Sequence, residues 1–98
     1  MKTWRLILRP EAEEDLQSAV DWYEDRRAGL GREFTTCIEA ALALMLAQPS
    51  LGSLVFRDVR RHLVRRFPYA VFYVVAVDTV VVVAILHQRR DPLTVTRR

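Results

Sequence analysis

AVFYVVAVDTVVVVAIL, residues 70–86, is the longest apolar run in the chain, and its reading decides the fold. A membrane-spanning helix needs about 20 consecutive apolar residues. This run is shorter, carries Asp78 in its middle and is crowded with valine, whose branched side chain favours extended backbone. It therefore predicts two strands, YAVFYVVAV (69–77) and TVVVVAILH (79–87), meeting at a hairpin turn near Asp78-Thr79. Neither strand alternates apolar with polar residues, so both faces of the sheet are expected to be covered.

Upstream, LVFRDV (54–59) and RRHLVRRF (60–67) predict two more strands. Pro68 follows, at a junction where a sheet tolerates proline: the first residue of a strand, or a bulge. Phe67 and Tyr69 flank it as anchors, and Arg65 and Arg66 stand just before it. The first half of the chain has a different period. WRLIL (4–8) is a short strand ended by Arg9-Pro10, and Pro10 suits the first helical position, where its missing N–H is no loss. Glu11, Glu13, Glu14 and Asp15 complement the dipole of the helix that follows. Ala12, Leu16, Ala19, Val20 and Tyr23 recur at helical spacing as far as about Arg27.

AGLG (28–31) is a helix-to-helix turn, since its Gly-Leu-Gly lacks the lysine of a phosphate loop. A second helix runs from Leu30 to Ala47, with Leu30, Phe34, Ile38, Ala41 and Met45 on one face. Its last part, AALALMLA (40–47), is apolar nearly all round, and so needs cover from the sheet and from something else. These elements predict an α+β fold: an N-terminal strand, then a two-helix hairpin packed on one face of a mainly antiparallel sheet. At 98 residues the chain is expected to be a single domain over 1–98. Helices on one face leave the other face apolar and uncovered, which predicts a protein partner.

A single cysteine excludes a disulfide framework and a cysteine-based zinc site; no cofactor or metal is expected. Cys37 reads as a small buried hydrophobe, and Trp4, Trp22 and Tyr23 as core or hairpin packing. No signal-peptide pattern opens the chain, so the expected location is cytoplasmic, with no membrane association. The net charge of +3 hides a division. Residues 1–55 hold six basic and nine acidic side chains, whereas residues 56–98 hold nine and three, and all nine of those bases are arginine. Such asymmetry predicts an anionic target, or an acidic protein covering the second half. If the late strands are neighbours, Arg60, Arg61, Arg65, Arg66, His87, Arg89 and Arg90 gather on one side, and Tyr69 presents its hydroxyl there.

Three stretches carry a family resemblance: PEAEEDLQSAVDWYE with GLGREF in the helices, RRHLVRRFPYAVFYVV in the middle, and VVAILHQRRDP (82–92) near the end. Together they resemble the RelE/ParE toxins of bacterial type II toxin–antitoxin systems, and most closely the ParE, or plasmid-stabilisation, branch. The resemblance covers nearly the whole chain. It implies the helical hairpin on an antiparallel sheet, a growth-inhibiting toxin, and a cognate antitoxin encoded beside it, held in a hetero-oligomeric complex. It also implies one of two targets. ParE-type toxins bind and poison DNA gyrase, whereas RelE-type toxins are endoribonucleases that cut mRNA on the ribosome.

RNA cleavage through the 2′-hydroxyl needs a base, an acid and cations around the phosphate. Arginine supplies only the cations, because its guanidinium stays protonated. The candidates on a nuclease reading are Arg61, Arg65 and Arg90 around the phosphate and His87 as acid/base, since an imidazole titrates near neutrality. The nuclease branch usually carries lysines in the middle strands and a tyrosine near its C-terminus. Here Lys2 is the only lysine and LTVTRR (93–98) has no tyrosine, so the resemblance favours action by binding, with Arg60, Arg61, Arg65, Arg66, Tyr69, His87, Arg89 and Arg90 as target-binding candidates. A third expectation, a general nucleic-acid-binding module, would need aromatics spread among the arginines on an open face.

Overall fold

The computed structural model describes residues 3–89. Its elements are β1 (Arg5–Leu8), α1 (Pro10–Arg26), α2 (Leu30–Ala47), a 3-10 turn (Pro49–Leu51), β2 (Ser53–Phe56), β3 (Val59–Leu63), β4 (Tyr69–Val75) and β5 (Thr79–His87). The strands form one sheet in the order β1-β5-β4-β3-β2. β1 runs parallel to β5, which α1 and α2 make possible by carrying the chain over one face; the other pairs are antiparallel. The expected α+β architecture, with a helical hairpin on a mainly antiparallel sheet, is the one observed.

Pro10 occupies the start of α1, with Glu11 and Glu13 in the first turn. The corner between the helices is built by Glu24. Its carboxylate accepts from the Gly29 N–H (2.9 Å) and the Gly31 N–H (3.0 Å), so α1 supplies the cap that Gly29 has no side chain to give α2. Gly29 turns the chain at φ 89, in the left-handed region that glycine enters without a steric penalty.

Phe34, Ile38, Ala41 and Met45 of α2 and Ala12 and Ala19 of α1 pack on Val71, Tyr73, Val80, Val82 and Ile85 of the sheet. The opposite sheet face carries a second cluster of Ala70, Phe72, Ala84 and Leu86, with Val55, Val59 and Val83 against it. The missing alternation in β5 has a local cause. Phe72 pairs with Ala84 but Tyr73 pairs with Val82, so Val83 is a bulged extra residue. Before it Val80 and Val82 face the helices; after it Ile85 does, and Ala84 and Leu86 face away. Beyond the Leu8–Val82 pair β1 no longer flanks β5, and there the Ile85 N–H donates to Asp15 Oδ2 of α1 (3.0 Å).

Three strand boundaries differ from expectation: the stretch 69–77 stops at Val75, and two others are cut by turns. The stretch 54–59 is not one strand: β2 stops at Phe56, and Arg57-Asp58 form a tight turn with Arg57 at φ 51. The stretch 60–67 ends early, because Arg66 adopts φ 74, which no strand can carry. Alternation of side chains foretold neither, since both turns are made by arginine and not by glycine or asparagine.

Tyr73 fixes the crossing from α2 to β2. Its buried hydroxyl donates to the Pro49 carbonyl (2.8 Å) and accepts from the Gly52 N–H (2.9 Å). Gly52 must lack a side chain here, since a Cβ would stand 2.5 Å from that hydroxyl. Tyr73→Phe leaves the carbonyl and the N–H without this partner, so it is expected to lower stability by about 1–3 kcal/mol. Urea unfolding with an unchanged denaturant slope would register the loss.

Candidate target-binding rim

The loop 64–68 and the end of β5 lie together at one end of the sheet. Tyr69 pairs with His87 across β4 and β5, and the Gln88 N–H donates to the Pro68 carbonyl (2.8 Å). Pro68, whose nitrogen carries no proton, therefore serves the sheet through its carbonyl. The loop closes on itself through Val64 N–H to Tyr69 O (2.9 Å) and Tyr69 N–H to Phe67 O (2.8 Å). Phe67 anchors it from below, edge-on to Tyr23 and Phe34.

Five of the eight candidate residues share this end: Arg65, Arg66, Tyr69, His87 and Arg89. They are not equivalent. Arg66 is pinned to Glu33 of α2 (2.9 Å), whose second oxygen holds Arg27 (2.9 Å). His87 meets the Tyr69 ring edge-on with centroids 5.5 Å apart, and its Nδ1 accepts from the Arg89 N–H (3.1 Å), which leaves Nε2 for a ligand. Arg65 and Arg89 are exposed, and among the described residues neither belongs to an ion pair.

The remaining candidates do not join them. Arg60 lies opposite Tyr73 on the helix side of β3, and its Nη1 donates to the Ser50 (3.1 Å) and Gly52 (2.7 Å) carbonyls; it binds the 3-10 turn to the sheet. Arg61 lies opposite Phe72, on the face turned away from the helices. Arg90 lies outside the described residues, as do Lys2 and the tail 93–98. The expected gathering of arginines thus divides: a rim at the Pro68 end, one structural arginine, and one on the far face.

A cavity of about 610 Å³ opens beside the rim, walled by Asp15, Ser18, Trp22 and Tyr23 of α1 on one side and by Pro68, Tyr69 and His87 on the other. Trp22 is half exposed at its mouth, stacked under the Arg26 guanidinium (3.9 Å) and edge-on to Tyr23. Tyr23 packs in the hairpin as expected, whereas Trp22 does not belong to the core. The spacing 15/18/22 places these side chains on one helical stripe, which the sequence offered as a signal. Burial, then the nearby Tyr69, pushes the Tyr23 phenol up, so it stays protonated. Burial pushes the His62 imidazole down.

Glu33 is held below the usual carboxylate range by its hydrogen bonds from Arg66 and then Arg27. A depressed carboxyl stabilises the fold fully above its unfolded value, about 4.3. That contribution is lost as pH falls through the lower, folded value. Glu33→Gln is therefore expected to lower the urea midpoint at pH 7, while the two proteins converge as pH falls through the lowered carboxyl value.

The fold and this rim can now be set beside known proteins. The solved structure described as "Chromosomal ParDE TA system from P. aeruginosa" superposes with a TM-score of 0.74, at 17% identity, covering 87% of this chain and 96% of that one. The chain thus shares the fold of that protein. No curated protein sequence matches the chain. Residues 6–92 match the family described as "ParE toxin of type II toxin-antitoxin system, parDE", which is most of the sequence. The chain belongs to the ParE toxin family.

Proposed function

We propose that this chain is the toxin of a type II toxin–antitoxin pair, that it arrests growth by binding DNA gyrase through the Pro68 rim, and that a cognate antitoxin neutralises it. Arg65, Tyr69, His87 and Arg89 make the contact. Action on gyrase places the protein in the cytoplasm. What supports binding over RNA cleavage is that, among the described residues, only Arg65 and His87 of the nuclease candidates share the rim, while Arg61 stands apart from them. Arg61 lies on the face beyond the helices, whereas His87 lines the cavity beneath α1. Arg61 and the His87 imidazole therefore open on opposite faces of the sheet, whereas the cation and the general acid–base of a cleavage site must converge on one phosphate.

Expression without the neighbouring gene tests the reading. Stalled gyrase–DNA complexes with intact message are expected. Cleavage of ribosome-bound message, abolished by His87→Ala, would overturn it.

A further inference from the structure

β1 stops beside Val82, so among the described residues no strand flanks the last part of β5 on that edge. α1 spans the gap without filling it, and the cavity of about 610 Å³ lies between the two. That volume is within the range of about 300–1,000 Å³ that takes a small-molecule-sized group. Its two ends differ in charge. At the inner end the Asp15 carboxylate accepts from the Ile85 N–H (3.0 Å), with the Ser18 hydroxyl one helical turn further on. A carboxylate offers about four lone-pair sites, so Asp15 can accept from a ligand as well. At the outer end stand Tyr69 and His87, whose imidazole accepts from the Arg89 N–H, and the Arg89 side chain is exposed. Trp22 is 50% exposed at the mouth, and the Arg26 guanidinium lies over its ring. Aromatic rings thus stand among cations on an open surface, the pattern on which nucleobases stack.

A ligand that matches this cleft donates hydrogen bonds at one end, is flat in the middle and is anionic at the other end. A nucleoside phosphate has those parts in that order. We propose that the cavity between α1 and the end of β5 is a nucleotide-binding site. The base stacks on Trp22 and turns an exocyclic amine toward Asp15, while the phosphate meets Arg89 and Arg26. A cationic side chain fits the cleft less well, because it must pass those two arginines to reach Asp15. An acidic side chain satisfies the arginines but meets a like charge inside. The same chemistry is presented by a free nucleotide and by one unit of a single strand. No bond is made or broken, so the site binds and does not cleave. It shares Tyr69, His87 and Arg89 with the proposed gyrase contact, yet it stands on the cavity alone and does not depend on that reading.

Isothermal titration calorimetry of the full chain with adenosine monophosphate, uridine monophosphate and inorganic phosphate tests the site. Adenine carries an exocyclic amine and uracil does not, so the adenine nucleotide is expected to bind about tenfold or more tighter than either of the others. Trp22→Ala should weaken it about tenfold or more, whereas Trp22→Phe, which keeps a ring, should retain most of the affinity. Trp22 lies outside the core, so an unchanged urea midpoint shows that the fold is intact. Asp15→Asn still accepts from Ile85 but loses the charge, and should bring the adenine nucleotide down to the level of the uracil one. A single-stranded oligodeoxyadenylate that binds tighter than the mononucleotide assigns the site to a strand; no gain assigns it to a free nucleotide. Equal binding of all three small ligands, binding of none at millimolar concentration, or indifference to Trp22→Ala overturns the proposal. Protection of Trp22 by gyrase with no nucleotide bound also overturns it, by giving the cavity to a protein side chain. Nucleotide binding by a chain that arrests no growth supports this site and defeats the gyrase reading, while arrest without nucleotide binding does the reverse.

Discussion

Phe34→Ala is expected to remove about 3–5 kcal/mol of folding stability. Domains of this size are typically stable by only about 5–15 kcal/mol, so the variant should be partly unfolded or close to it at 37 °C. The side chain is fully buried, and its ring packs against three others: Tyr23, Phe67 and Tyr69, with centroids 5.1, 5.1 and 5.0 Å away. Truncation leaves a ring-sized void that cannot close easily, because its walls belong to α1, the loop 64–68 and β4. Phe67 is also what holds that loop down, so the rim should loosen along with the core. Phe34→Leu, which keeps most of the volume, should cost markedly less. Urea unfolding measures both, and a loss below about 1 kcal/mol in the alanine variant would mean that the aromatic cluster does not carry the fold.

Reversing both free cations of the rim, Arg65→Glu with Arg89→Glu, is expected to abolish growth arrest while leaving the melting temperature within a few degrees of the parent. Placing like charges across an interface costs several kcal/mol, and each 1.4 kcal/mol is a factor of ten in affinity. The pair should therefore weaken target binding more than about a hundredfold. Both side chains are exposed, and among the described residues neither holds an ion pair, so the fold loses nothing by the change. Arg60→Glu offers the contrast. Its guanidinium grips the Ser50 and Gly52 carbonyls, and that variant should be impaired through stability and not through the target. Arrest undiminished by the double reversal would move the target site away from the Pro68 end.

The helices, the parallel first strand's position in the chain and the late hairpin were legible because their signals are local. Pro10 and its following carboxylates mark a helix start, the apolar stripe of α2 has a regular period, and valine crowding marks strands. What the sequence concealed was which way each arginine faces. Arg60 and Arg61 are adjacent letters, but the pleat sends them to opposite sides of β3, and the register deciding which is which is set by β4. The left-handed turns at Arg57 and Arg66 were hidden for a related reason. Tertiary contacts, here the Glu33 carboxylate for Arg66, hold a residue where its own preference would not put it. The Val83 bulge explains why alternation failed in β5, since a single extra residue inverts every side chain beyond it.

The placement of β5 between β1 and β4 has a consequence for biosynthesis. β1 leaves the ribosome before the other four strands of its sheet and has no partner until residues 79–82 emerge, and the helices until then have no complete sheet on which to bury their stripes. Pairing across such a sequence separation is slow, because the intervening chain must be ordered before any reward is gained. A nascent or truncated chain lacking β5 is thus a sticky helical fragment, prone to capture by chaperones and proteases. β1, made before the rest of its sheet, is among the last of its strands to be paired.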